Sequence, residues 1–320
     1  MAGTATRRSD RRGFLLAAGA AGVLAACGSG TIESALNPTR VISFGDGFSD
    51  LGQSGFRYTV NDGTINIWSA LIAANYGLGL ESVANGGLSY ARGNARIAGT
   101  PDAAGNARTL TVTQQIDSFL TSGSFGPSDV VLINGGISDI IYEMAAVTAG
   151  TLSSAQMIAN VGLAGLALAN QVQRLVKAGA KYVVIAGTYN MAKSPWAIAL
   201  GQTALLESAS SKFNEQLLVN IVNLGANALY LDAAYYFNLI TAAPSSYALV
   251  NATTVVCNVV DAGNGLGIGP NQVNSALCNA STIATGLDYT KYVFADPVYF
   301  TPAANVLFGT YAYGRLRSRW

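Results

Sequence analysis

The sequence predicts an α/β protein in which one parallel sheet is covered by helices on both sides. Three observations carry that expectation. Short continuous apolar runs recur at Val41–Phe44, 129–134, Tyr182–Ala186 and Ala228–Leu231. Longer segments with apolar residues at helical spacing lie between them. Glycines or Gly-Asp pairs follow the first two runs. Continuous rather than alternating hydrophobicity suits strands buried on both faces, and strands that alternate with helices build layered α/β sheets.

The first run, Val41–Phe44, ends at Gly45-Asp46-Gly47 and reads as strand into turn. Residues 111–120 form a short helix candidate, and 129–134 repeats the strand pattern before Gly135-Gly136. Residues 154–178 place Met157, Ile158, Val161, Leu166, Val172, Leu175 and Val176 along a helix that stops at Gly179. A helix over 197–224, ending at Gly225, separates the last two strands. Tyr235, Tyr236 and Phe237 read as a packed helix face rather than a sugar platform. In such sheets ligands bind beyond the carboxyl ends of the strands, so Asp46 and Gly136 are expected on one rim. No linker rich in Pro, Ser or Gly divides the chain after residue 40, and 39–320 is expected to be one domain.

Composition excludes more than it includes. The chain has 320 residues, half of them hydrophobic, with 36 glycines, three cysteines and no histidine. Without histidine, no Ser-His-Asp or Cys-His triad and no His-ligated zinc or iron site can form. Three cysteines with no C-x-x-C pair rule out a four-thiolate zinc site. No cofactor is expected. Net charge is +1, and four arginines within the first twelve residues leave the rest nearly neutral. No basic patch argues for nucleic acid.

Arg11-Arg12 precedes an apolar run over 14–26 that is too short to span a bilayer, which needs about twenty residues. Residues 1–26 therefore read as an export signal of the twin-arginine type. Leu24-Ala25-Ala26-Cys27 resembles a bacterial lipobox, in which Cys27 would be lipidated; an ordinary signal peptide with a chance cysteine is the alternative. Residues 27–38 read as a tether. The expectation is an exported lipoprotein held to a membrane through Cys27, facing the periplasm or the cell surface. In an oxidising compartment Cys257 and Cys278 can pair across a Gly/Asn-rich loop, or they stay as two buried thiols. The glycines at 263–269 imitate a phosphate cradle, but no clear strand precedes them and no Lys-Ser/Thr follows, so they read as a loop.

A resemblance then emerges from four blocks in order. Phe44-Gly45-Asp46-Gly47-Phe48-Ser49-Asp50-Leu51-Gly52, Tyr90-Ala91-Arg92-Gly93-Asn94-Ala95, Gly136-Ile137-Ser138-Asp139 and Phe294-Ala295-Asp296-Pro297-Val298-Tyr299-Phe300-Thr301-Pro302 resemble the signature blocks of the GDSL lipase/esterase (SGNH hydrolase) family. That resemblance implies a three-layer α/β/α, flavodoxin-like SGNH-hydrolase fold with a central parallel sheet, and ester hydrolysis. The departures fall on the chemistry. The family's nucleophilic serine position is Gly47, its histidine position is Tyr299, and its block-three asparagine is Ser138. Its block-two oxyanion glycine aligns with Asn94 or, shifted by one, with Gly93. Asp46, Ser49, Asp50, Asp139 and Asp296 persist.

Losing a serine nucleophile or its base costs roughly a millionfold in kcat in a well-studied serine protease. Ser49 lacks a histidine to activate it. Asp296 with Tyr299 reads either as a carboxylate–phenol pair or, more plainly, as a tyrosine that fills the vacated pocket and caps Asp296 with its hydroxyl. Asp46, Asp50, Asp139 and Asp296 could converge on a divalent cation or act as paired carboxylates, but acidic residues at strand ends are mostly structural caps, so no metal site is expected. Two functions follow as expectations. One is a non-hydrolytic ligand-binding or scaffolding pseudoenzyme. The other is an active ester or acyl hydrolase with a rearranged site, using Ser49 or an aspartate-bound metal water. Acyl esters, lipids and glycans all suit a near-neutral exported body.

Overall fold

Four short strands lie side by side and all run the same way: β1 (Val41–Phe44), β2 (Val130–Asn134), β3 (Tyr182–Ala186) and β4 (Ala228–Leu231). These belong to a computed structural model that describes Met1, Gly3 and residues 34–320. The expected export signal, Cys27 and the first part of the tether lie outside the described residues, apart from those two. β1 and β2 are buried throughout, as their continuous apolar runs require.

A rudimentary fifth strand lies beyond β1. Ser89 bridges Ser43 in parallel, with Ser43 N donating to Leu88 O at 3.1 Å and Tyr90 N donating to Ser43 O at 2.7 Å. In chain order the sheet therefore runs 2-1-3-4-5, the flavodoxin-like order, whose switch point lies between the first and third strands. Here that point falls between the carboxyl ends of β1 and β2.

Helices cover both faces. α2 (Val112–Ser122), α3 (Ile137–Thr148), α4 (Ser154–Lys177) and α6 (Thr203–Ile221) pack together on one side. On the other, α1 (Trp68–Asn75) packs on α8 (Pro302–Arg319), and α7 (Ala233–Ala242) joins them through Phe237, Tyr236 and Phe308. The result is a three-layer α/β/α architecture. Thr111 with Gln114, and Ser153 with Gln156, form capping boxes that start α2 and α4. Gly165 of α4 lies against the Phe213 backbone of α6, where a side chain would collide, so the two helices approach closely.

The helix expected over 197–224 is broken. Ser194 caps and Pro195 starts a short α5 (Pro195–Leu200), which Gly201 ends with φ +65°. α6 follows, and a 3₁₀ stretch over Val222–Asn227 contains Gly225 at φ +56°. The expected aromatic face of 235–237 also divides: Phe237 is buried, Tyr236 stacks on Tyr311 at 4.3 Å, and Tyr235 is 57% exposed.

After α7 the chain builds a second small unit of structure. β5 (Asn251–Val255) pairs with β8 (Tyr292–Phe294), and β6 (Val260–Asp261) pairs with β7 (Gln272–Val273). Cys257 and Cys278 form a disulfide, packed with Val60, Val256 and Ala295. Among the described residues no helix is long and apolar enough to cross a membrane.

The disulfide closes a loop between residues 21 apart. Replacing both cysteines by serine is expected to lower unfolding stability by about 3 kcal/mol, read from guanidinium midpoints. An unchanged midpoint would mean that the loop is held by packing alone.

Candidate functional site

The turn after β1 is set by a close approach. Gly45 sits where any side chain would overlap the Asn134 side chain at the end of β2. Gln115 of α2 clamps it, donating to Gly45 O and accepting from Gly45 N, both at 2.9 Å. The next residue, Asp46, is fully buried. Its Oδ1 accepts from Asn134 Nδ2 at 2.7 Å and from Phe48 N at 3.0 Å. Its Oδ2 has no hydrogen-bond partner, although the Ile137 and Ser138 amides at the start of α3 favour its charge. Burial outweighs these contacts and raises the Asp46 carboxyl above its usual range.

Gly47 is covered by Tyr299. A Cβ built on Gly47 would lie 2.6 Å from Tyr299 Oη and 2.8 Å from Cζ. The phenol is 1% exposed, and its hydroxyl has no hydrogen-bond partner. Burial first, and the Asp46 charge second, hold it well above the normal tyrosine range, so it is a neutral phenol. The expected cap is therefore corrected: the Tyr299 hydroxyl points at Gly47, and Asp296 is held by backbone. Its Oδ1 accepts from Val298 N and Tyr299 N, each at 2.7 Å, and its Oδ2 from Ser275 N at 3.1 Å. Burial raises the Asp296 carboxyl to about 6. No carboxylate–phenol pair forms, because the loop turns the ring away from the carboxylate that shapes it.

The other positions are equally committed. Ser49 is buried and its Oγ accepts from Trp68 Nε1 at 3.0 Å. Asp50 takes the amides of Gly52 and Gln53 on Oδ1, both at 2.9 Å, and that of Gly93 on Oδ2 at 2.7 Å. The Gly93 amide is thereby used. Asn94, in left-handed backbone at φ +60°, donates from Nδ2 to Gly265 O at 2.8 Å, while its buried Oδ1 is unpartnered. Ser138 is buried with an unpartnered hydroxyl. Asp139 turns to the loop before α2 instead, accepting from Ile97 N at 3.1 Å, with Arg96 Nε 3.7 Å away. Burial pushes the Asp139 carboxyl up to about 7 despite Arg96. Among the described residues, no three His, Cys, Asp or Glu side chains come together as a metal site.

Tyr58, which sequence reasoning missed, completes the arrangement. Its ring lies 4.9 Å from that of Tyr299 and over Gly93, where a Cβ would collide with it. Outside it opens a cleft of about 280 Å³, lined by Asp50, Gln53, Tyr58, Asn94, Gly265 and Asn274 among others. Two tyrosine rings thus stand between the cleft and Gly47. Asn134, Gln115 and Tyr189 were also missed. Tyr189 donates from its hydroxyl to Val298 O at 2.7 Å and so fixes the loop that carries Tyr299. Only Asn134 had a signal, as a polar residue between an apolar run and two glycines.

Two predictions follow from this packing. Gly47→Ser is expected to destabilise the protein by about 1–3 kcal/mol through overpacking, and most of that cost should vanish in a Tyr299→Ala background. A double-mutant cycle of unfolding free energies reads the coupling, and additive effects would show that the ring yields freely. The second concerns pH. Asp139 and Asp296 hold protons more tightly folded than unfolded, so between pH about 4 and 7 the folded state binds more protons and stability falls as pH rises. Thermal midpoints are expected to climb from pH 8 to pH 5, and Asp139→Asn should flatten that slope; an unchanged slope contradicts the assignment.

No family model matches the chain. It is similar to an uncharacterised protein encoded in the trpE–trpG intergenic region of Pseudomonas putida, 27% identical over 304 residues. The alignment covers 88% of this chain and 49% of that protein, so the chain spans about half the length of the curated relative it matches. A solved structure of 13% identity superposes with a TM-score of 0.45, over 88% of this chain and 98% of its own.

Proposed function

We propose that this chain is an exported lipoprotein with a GDSL-like hydrolase frame that binds ligand without hydrolysing it. One observation carries the reading: the space beside Gly47, where the resemblance places a serine, is filled by the neutral Tyr299 phenol. A serine-type acyl transfer needs a hydroxyl hydrogen-bonded to a base, and among the described residues neither Ser49 nor Ser138 has one. Of the groups that would meet an oxyanion, the Gly93 backbone amide is spent on Asp50 and the Asn94 side-chain Nδ2 on Gly265, while the Ser138 hydroxyl is buried. What remains open is the cleft outside Tyr58. Its neutral amides, with Arg92 balanced by Asp50 in the same lining, suit an uncharged ligand, of which an acyl ester, a lipid or a glycan are the classes in view.

The purified chain is expected to leave p-nitrophenyl butyrate at the buffer rate and to resist labelling by a fluorophosphonate probe. Turnover that disappears in Asp296→Asn, or labelling at Ser49, would overturn the reading. Gly47→Ser combined with Tyr299→His restores both missing groups and is expected to give weak turnover.

A further inference from the structure

Trp320 gathers four stretches of chain at the amino-terminal end of the sheet, opposite the cleft. Its carbonyl accepts from Leu36 N at 3.2 Å, its indole donates to Ala226 O at 2.6 Å, and its ring lies 5.2 Å from that of Tyr182. Beside it, Arg319 donates to Gly225 O at 2.6 Å. Around these contacts the acids are few: Glu215, at the edge of the face on α6, is paired with Lys212, and Asp232 caps the start of α7. Arg40 and Arg174 are paired with Asp129 and Asp117. Lys177, Lys181, Arg315, Arg317 and Arg319 are exposed and, among the described residues, pair with no acid. The near-neutral sequence thus conceals a basic face that only the fold assembles.

That face is also apolar. At the end of α6, Leu218, Val219 and Val222 stand in solvent, Val219 at 55% and Val222 at 68% exposure. Leu218 and Val222 share a hollow of about 230 Å³ with Arg319. Cations beside exposed aliphatic side chains match the boundary between anionic head groups and acyl chains. A soluble polyanion would need the cations alone. A second copy meeting this face symmetrically would set cation against cation.

We infer that the face around Trp320 seats the body on an anionic lipid surface, with the cleft directed away from it. Leu36 lies on this same face, but the contact itself requires no acyl chain on Cys27. The full chain carrying Cys27→Ser, which cannot be lipidated there, is therefore the test protein, in cosedimentation with phosphatidylcholine vesicles with and without phosphatidylglycerol. Partitioning is expected only with phosphatidylglycerol present and should weaken as salt rises. Arg315→Gln/Arg317→Gln, whose side chains make no hydrogen bond to the described body, should weaken it by about 25-fold, roughly fivefold for each arginine. Val219→Asn/Val222→Asn should weaken it on the same vesicles without altering the salt dependence. Equal partitioning onto pure phosphatidylcholine, or parent-like partitioning of both variants at parent-like thermal midpoints, would overturn the inference. So would self-association of the parent that the valine variant abolishes, which would make the face an interface between copies.

Discussion

Asp46 is a fully buried carboxylate, and the strand ends around it are arranged to replace the water it has lost. A desolvated carboxylate is costly unless hydrogen bonds compensate. The Asn134 amide crosses from β2 to supply one, and it can cross only because Gly45 has no side chain in its path. Gln115 then locks Gly45 from α2, while the first amides of α3 face the same carboxylate. The turn after β1, the end of β2 and the starts of two helices are thus registered on a single buried carboxyl group at the switch point of the sheet.

The rest of the rim is layered outward from that carboxyl group. Gly47 leaves room for Tyr299, Tyr299 supports Tyr58, and Tyr58 floors the cleft. Two carboxylates hold the layers through backbone rather than through side-chain chemistry. Asp50 ties the turn after β1 to Gly93 on the neighbouring segment, and Asp296 curls the loop that presents Tyr299. Buried acidic residues beside strand ends can thus have purely architectural work.

The parts of this arrangement legible in the sequence are those decided locally. β1, β2 and β3 stand out as continuous apolar runs because both of their faces are buried almost throughout. β4 stands out by composition although its buried and half-buried residues alternate, and α4 stands out because its apolar stripe spans 24 residues. The rudimentary strand at Ser89 is too short to carry a pattern. The break at Gly201 is a single left-handed residue inside an otherwise helical composition. At the site, the sequence reveals which residue types are missing but not where their replacements point. Tyr299 could not be told from a cap on Asp296, since its direction depends on a loop pinned by Tyr189 from far along the chain. Tyr58 gains its place from residues distant in sequence, Tyr299, Gly93 and Asn94, so nothing in its own neighbourhood marks it.

The fit between Gly47 and Tyr299 also bears on how such a chain can change over generations. A serine arriving alone at position 47 meets the phenol ring, and a histidine arriving alone at 299 leaves a void beneath Tyr58. Each single step is penalised before the other can make it useful. A chain holding this pair therefore meets a stability valley between its present packing and any arrangement with both positions exchanged.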